Sequence, residues 1–163
     1  IIPHTTDELW SYLDEEEASV QLTDFPEVDE KENFDALRAK WKKVMAIRDE
    51  VLKALEEARN AKVIGSSLEA KVIVYADKEV EDLLKDEKVQ FSRISIVSQF
   101  VVAGMKNDAP SEALNLDLTS IVVEKADGEK CERCWSYSET VGKDEKHPTL
   151  CKRCVEVVEK YYE

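Results

Sequence analysis

The sequence predicts an α+β protein: N-terminal helices including one long helix, then a small β-α-β-β unit, then a C-terminal four-cysteine knuckle. Three observations predict it. Apolar residues recur every three or four positions between residues 29 and 61. β-branched segments follow at 69–76, 94–103 and 118–125. The only four cysteines, Cys131, Cys134, Cys151 and Cys154, stand in the pattern C-x2-C-x16-C-x2-C.

The N-terminal part opens on Ile1-Ile2-Pro3, apolar residues leading straight into a helix signal without an initiator Met. That opening suggests a piece of a longer protein. Residues 3–13 read as a short helix in which Thr5 and Glu8 form a capping box and Leu9, Trp10 and Leu13 an apolar face. The acidic run Asp14–Glu17 and the breaker Asp24-Phe25-Pro26 mark residues 14–28 as an extended connector folded back over the helices. The long helix over 29–61 presents Phe34, Leu37, Trp41, Val44, Met45, Val51, Leu52, Leu55 and Ala58 on its apolar side. A helix of that length is about 50 Å long, more than so small a chain can cover, so it is expected to pack against something else. Gly65 reads as its stop. Arg38, Lys42, Lys43 and Arg48 on this helix read first as solvated charges and second as phosphate contacts.

Residues 69–76 alternate as a strand does. Residues 78–93 carry a helical stripe of Val80, Leu83, Leu84, Val89 and Phe91. Residues 94–103 and 118–125 read as the second and third strands, with a loop over 104–113, and residues 155–162 as a final short helix. These elements suggest three parts: 1–61 helical, 62–126 a small α+β domain, 127–163 the knuckle.

Two close cysteine pairs separated by a loop direct four thiolates at one point, which suits a tetrahedral Zn2+ with no open position. Such a metal is structural. Two disulfides would suit a secreted chain, and a redox dithiol usually needs one C-x-x-C. His147, four residues before Cys151, reads as a loop residue once four thiolates are present. His4 reads as a helix-start group. Structural zinc contributes on the order of 10 kcal/mol to small metal domains, and the last thirty or so residues have little else to bury.

The formal net charge is −13. Residues 1–60 hold 8 basic and 16 acidic side chains, whereas residues 131–163 hold 6 and 7. Overall acidity argues against a large non-specific nucleic-acid surface, since phosphates are repelled. It leaves room for a local contact at the least acidic part, the knuckle. No apolar run is long enough for a transmembrane span. Nothing in the chain reads as a Gly-rich phosphate loop, a nucleophile–base pair or an open metal site, so no catalytic residue is assigned.

Taken together these stretches resemble the C-terminal end of the bacterial isoleucyl-tRNA synthetase family. Pro3-His4-Thr5-Thr6-Asp7-Glu8-Leu9-Trp10 and Asp24-Phe25-Pro26 are similar to the end of its anticodon-binding helical domain and the connector that follows. Arg48-Asp49-Glu50-Val51 through Ala58-Arg59 to Ile64-Gly65-Ser66-Ser67-Leu68-Glu69-Ala70 resembles its long helix and the turn after it. Ala126-Asp127-Gly128-Glu129-Lys130-Cys131-Glu132-Arg133-Cys134-Trp135 resembles the entry into its zinc knuckle almost residue for residue. The resemblance spans the chain, with Ser66 where many relatives carry Lys.

The resemblance implies a cytoplasmic class I ligase that uses ATP to attach isoleucine to its tRNA, with ATP bound only in a catalytic domain outside this chain. The H-I-G-H and K-M-S-K-S signatures of that domain are absent here. It further implies one structural zinc and, as partners, the anticodon stem-loop of tRNA and the rest of the synthetase chain lying on the long helix, with neither DNA nor membrane. Bases of a single-stranded loop offer flat faces to aromatic rings and edges to Arg and Lys. Trp135 and Arg133, held beside the metal, are the expected chief RNA contacts, with Lys130, Lys152 and Arg153 adding phosphate contacts. The competing reading has Trp135 capping the knuckle core and Arg133 meeting a nearby carboxylate.

Two other functions fit parts of the chain. A DNA-glycosylase knuckle shares the cysteine spacing, yet it would need an N-terminal Pro nucleophile and a helix–two-turn–helix, and Cys134 is followed here by Trp rather than Gly. A zinc-ribbon protein-interaction domain would suit the acidity and a basic protein partner.

Overall fold

The computed structural model describes residues 2–25, 27, 29, 31, 34–86 and 90–162. Pro26, Val89 and the helix positions expected at residues 30, 32 and 33 lie outside the described residues. The chain divides into two compact units, Ile1–Asp35 and Ala36–Glu163.

In the first unit, helix α1 spans Pro3–Trp10 and ends three residues before the expected Leu13. The expected capping box does not form. Pro3 occupies the first helical turn, where its missing N–H costs nothing, so Thr5 lies inside the helix, and the capping position falls to Ile2 at φ 48°. The connector folds back on α1 as expected. Trp10 Nε1 donates to the Glu17 carbonyl at 2.8 Å, and the Ser19 hydroxyl donates to the Asp7 carboxylate. A single 3-10 turn at Val20–Leu22 interrupts the extended run.

Helix α2, Asp35–Asn60, runs on into the second unit. Val44, Ile47, Val51, Ala54, Leu55 and Ala58 form its buried face, at the three- and four-residue steps the sequence shows. Leu37, Trp41, Met45 and Leu52, expected on that face, are instead exposed: Trp41, Met45 and Leu52 lie around the helix from the buried stripe, and Leu37 shares its side but sits in the exposed first turns. Gly65 is not the stop. Lys62 takes the left-handed conformation at φ 59°; its N–H reaches the Arg59 carbonyl (3.0 Å) and that of Val63 the Ala58 carbonyl (2.9 Å), a Schellman closure.

Strand β1, Ala70–Ala76, is the spine of a four-stranded sheet. Ala70, Val72, Val74 and Ala76 are fully buried, so the alternation read from the sequence holds residue for residue. The expected single helix over 78–93 is two pieces, α3 (Lys78–Leu84) and α4 (Phe91–Ile94). Strand β2 is correspondingly Gln99–Gly104 and not 94–103. Ser95 caps α4, and Ile96 turns through φ 57° before the strand can begin. The packing explains this: Phe91 and Val97 are both buried, and Phe91 stacks on Phe100 with ring centroids 5.4 Å apart. β2 runs parallel to β1. The hairpin β3 (Leu114–Asn115) and β4 (Thr119–Lys125) follows, β4 pairing antiparallel with β1, so the order is β2-β1-β4-β3. The two-residue β3 was not expected.

Helix α2, α3, α4 and the sheet share one core. Polar latches fix α2 to it. The Glu50 carboxylate accepts from Leu118 N (2.8 Å) and Thr119 Oγ1 (2.6 Å), and Arg48 Nε donates to the Ile94 carbonyl at 3.0 Å. Lys40 pairs with Asp86 and Lys43 with Glu79. Lys43 and Arg48, two of the cations that could meet phosphates, are therefore engaged within the protein. Among the described residues no helix is long and apolar enough to cross a membrane.

Candidate metal centre

The knuckle begins with a small hairpin, β5 (Glu129–Lys130) against β6 (Tyr137–Ser138). Gly128, at φ 85°, enters it so closely that a Cβ would lie 2.3 Å from the Ser138 carbonyl carbon. Only glycine fits both the conformation and the space. Within the hairpin Trp135 N donates to the Cys131 carbonyl (2.8 Å) and Cys131 N to that of Ser136 (3.0 Å). This tight turn aims the first cysteine pair inward. Helix α5, Lys152–Tyr161, supplies the second: Cys151 precedes its first residue and Cys154 lies in its first turn. The helix starts three residues earlier than the expected 155, since the N–H groups of Cys154 and Val155 already bond to the Cys151 carbonyl (2.8 and 3.0 Å).

All four sulfurs lie within 4.8 Å of one another, and Cys134 and Cys151 Sγ are 3.8 Å apart. Zinc–sulfur bonds of about 2.3 Å in a tetrahedron require sulfurs roughly 3.8 Å apart. Cys131, Cys151 and Cys154 are buried and Cys134 is half-buried. The donor set, its spacing and its enclosure fit a structural zinc held without an open position. The backbone prepares the thiolates. Burial raises the Cys131 thiol, but the N–H groups of Cys134, Cys151 and Arg133 outweigh it and hold the thiol below its ordinary value. Cys151 N donates to Cys131 Sγ at 3.3 Å. Cys134 is also opposed by burial, yet the Ser136 backbone and neighbouring thiols bring it down to about 6. Burial and the adjacent thiols push Cys151 up to about 12, and burial raises Cys154. Four thiols this close ionise fully only around a cation.

Four thiolates and one divalent ion leave a charge of about −2. Two guanidinium groups answer it. Arg133 Nη1 lies 3.8 Å from Cys154 Sγ, and Arg153 interacts with Cys134. The carboxylate partner envisaged for Arg133 is thus replaced by a thiolate. Arg133, Lys130, Lys152 and Arg153 are nevertheless all exposed. Trp135 is 62 % exposed, and Lys130 Nζ sits 5.4 Å from its ring centroid. The structure brings Lys130, Arg133, Trp135 and Arg153 to the rim of the metal centre, while Lys152 lies beside Thr140 at the start of α5, its N–H bonded to that hydroxyl (3.0 Å). His147 is not among the metal-directed groups of the described residues; its N–H bonds to Asp144 Oδ1 at 2.8 Å within the loop.

The knuckle is docked on the sheet by residues that sequence reasoning missed. The Gln99 amide both donates to the Asp127 carbonyl (3.1 Å) and accepts its N–H (3.0 Å). Lys71 pairs with the Asp127 carboxylate at 2.8 Å. No local motif marks these pairs, because each joins segments about thirty or more residues apart.

Fold and centre together define a class: a helical and small α+β segment that leads into a tetracysteine zinc finger. Residues 1–74 match the anticodon-binding domain of tRNA ligase, and residues 128–157 match the zinc finger found in FPG and IleRS. Relatives that match 99 % of the chain include isoleucine–tRNA ligases. That of Bacillus mycoides (strain KBAB4) is 50 % identical over 163 residues, covering 99 % of this chain, and those of Bacillus cereus (strain B4264) and Bacillus anthracis (strain CDC 684 / NRRL 3495) are 47 % identical over the same length. The chain spans 18 % of the length of these relatives. Its resemblance to the C-terminal region of isoleucine–tRNA ligase is thereby borne out, and the four cysteines hold one structural zinc. The zinc-finger match alone covers the glycosylase alternative too; the anticodon-domain match and the whole-chain identity favour the tRNA ligase.

Proposed function

We propose that this chain is the anticodon-side tRNA-recognition segment of an isoleucine–tRNA ligase acting in the cytoplasm. Residues 1–61 complete the helical domain, 62–126 form a junction, and 127–163 present a zinc-stiffened surface to the anticodon stem-loop. The whole enzyme joins isoleucine to tRNA with ATP; this segment supplies binding and no catalytic group.

One observation carries the reading. Trp135 stands at φ 65° with 62 % of its surface exposed. A left-handed conformation costs a non-glycine residue roughly 1–2 kcal/mol, and an indole this exposed recovers little of that by burial. The competing role, capping the knuckle core, would put the ring inside. An exposed ring on a metal-fixed turn instead offers a stacking face to an unpaired base, worth about 1–3 kcal/mol. Arg133, anchored by one nitrogen at Cys154, has further N–H groups to offer a base edge or phosphate. Lys130, Lys152 and Arg153 add positive charge around it.

The test uses the full-length ligase and an isoleucine tRNA transcript. Chelator-stripped and zinc-restored protein are compared for tRNA affinity. The reading expects a loss of at least about ten-fold on stripping, recovered with one zinc per chain. Equal affinity in both states, or preference for duplex DNA over tRNA, contradicts it.

A further inference from the structure

Beside the metal centre, the α4–β2 turn and the knuckle enclose a groove of about 340 Å³, with Ser92, Arg93, Ser136, Tyr137 and Arg153 on its walls. A second cavity of about 240 Å³ adjoins it and holds Trp135 and Lys130. Ile96 and Tyr137 line both, so the two form successive compartments along one path. Ile96 reaches this dividing position because its backbone turns through φ 57°, which leaves its side chain 59 % exposed.

Carboxylates, abundant elsewhere in the chain, are nearly absent from this path. No carboxylate lines the larger compartment; its cationic side chains are Arg93 and Arg153, and the metal-centre thiolates Cys134 and Cys151 form the wall beside Arg153. The one carboxylate of the smaller compartment, Glu69, is engaged by Gly65 N at 2.9 Å and Ser66 Oγ at 3.4 Å. Among the described residues neither Arg93 nor Arg153 pairs with a carboxylate, whereas Lys40, Lys43, Arg48 and Lys71 each do. Arg153 answers the thiolate charge at Cys134, whereas Arg93, in a protein with 36 acidic and 23 basic side chains, faces this hydroxyl-bearing groove with neither a carboxylate nor a thiolate partner among the described residues. Guanidinium groups match phosphate oxygens in pairs.

We infer that this groove is a phosphodiester subsite for single-stranded RNA. Arg93 grips the backbone there, Ser92 and Ser136 offer hydroxyls to it, and the adjacent base lies against Trp135 in the next compartment. The inference rests on the tRNA-binding reading and adds to it a site that the zinc finger shares with the α4–β2 turn, with Arg93 as its distinguishing residue.

The experiment measures affinity of the full-length ligase for an isoleucine tRNA transcript over a salt series, for wild type, Arg93→Gln, Arg93→Lys and Trp135→Ala, each with zinc content determined. A phosphate contact predicts that Arg93→Gln binds roughly five-fold more weakly at low salt and that the slope of log affinity on log salt falls by about 0.7. Arg93→Lys keeps most of that slope. If Arg93→Gln matches wild type while Trp135→Ala binds weakly, the groove is not a subsite, although the tRNA-binding reading stands. If both match wild type, that reading falls and this one with it. Weaker binding with an unchanged salt slope also overturns the phosphate assignment.

Discussion

The Ser98 hydroxyl accepts the backbone N–H of Tyr137 at 2.7 Å while donating to the Leu68 carbonyl. One side chain at the mouth of β2 thereby ties the turn before β1 to the second strand of the knuckle hairpin. The zinc finger is held to the sheet by this peg together with the Gln99 and Lys71 contacts to Asp127.

Ser98→Ala leaves the Tyr137 N–H without its acceptor. We expect a loss of about 1 kcal/mol in urea unfolding and faster hydrogen exchange at the Tyr137 amide, with one zinc still bound. Unaltered exchange at that amide would show that the peg does not hold the knuckle.

Gly128→Ala is expected to be much more damaging. The added methyl meets backbone atoms of Ser138 and Glu139 at 2.3–2.4 Å in a conformation already at positive φ. Overpacking together with backbone strain should cost roughly 2–4 kcal/mol. Gly142, also at positive φ (82°), has open space around its Cβ position and serves as the control. Thermal melts in which the two Ala variants fall equally would contradict the steric argument.

Zinc affinity should climb with pH. Cys134, brought down to about 6, is already a thiolate at neutral pH, whereas Cys151, pushed up to about 12, and Cys154, also raised, must each release a proton to the solvent on binding. Log affinity should therefore rise with a slope of at least about 2 per pH unit near neutrality, Cys131 adding to it wherever that thiol still holds its proton, and more steeply below pH 6, where Cys134 also holds its proton. Competition with a chromophoric chelator between about pH 5.5 and 8 measures this. A flat profile would mean that the thiols do not become the ligands.

The metal centre was legible in the sequence because its signal is local: each C-x-x-C fixes its own turn, and the chemistry of four thiols does the rest. β1 was legible for a similar reason, since the buried set Ala70, Val72, Val74 and Ala76 is a plain period of two. Segment 94–98 misled because its β-branched residues suit a strand, but burial of Phe91 and Val97 bends the backbone at Ile96 first. The apolar repeat of α2 was real but broader than its buried face, and period alone does not say which side the sheet covers. Arg93 and Arg153 were out of reach as a pair, for nothing within sixty residues of sequence states that they share a groove.

The central claim is that a metal-stiffened turn holds the Trp135 indole outward for RNA, against the backbone's own preference. Trp135→Gly in the full-length ligase tests it most directly, because glycine relieves the φ 65° conformation while deleting the ring. We expect full zinc content, thermal stability equal to or slightly above wild type, and tRNA affinity reduced by about ten-fold or more. A variant that melts early yet binds tRNA as tightly as wild type would show that the ring belongs to the knuckle's own packing.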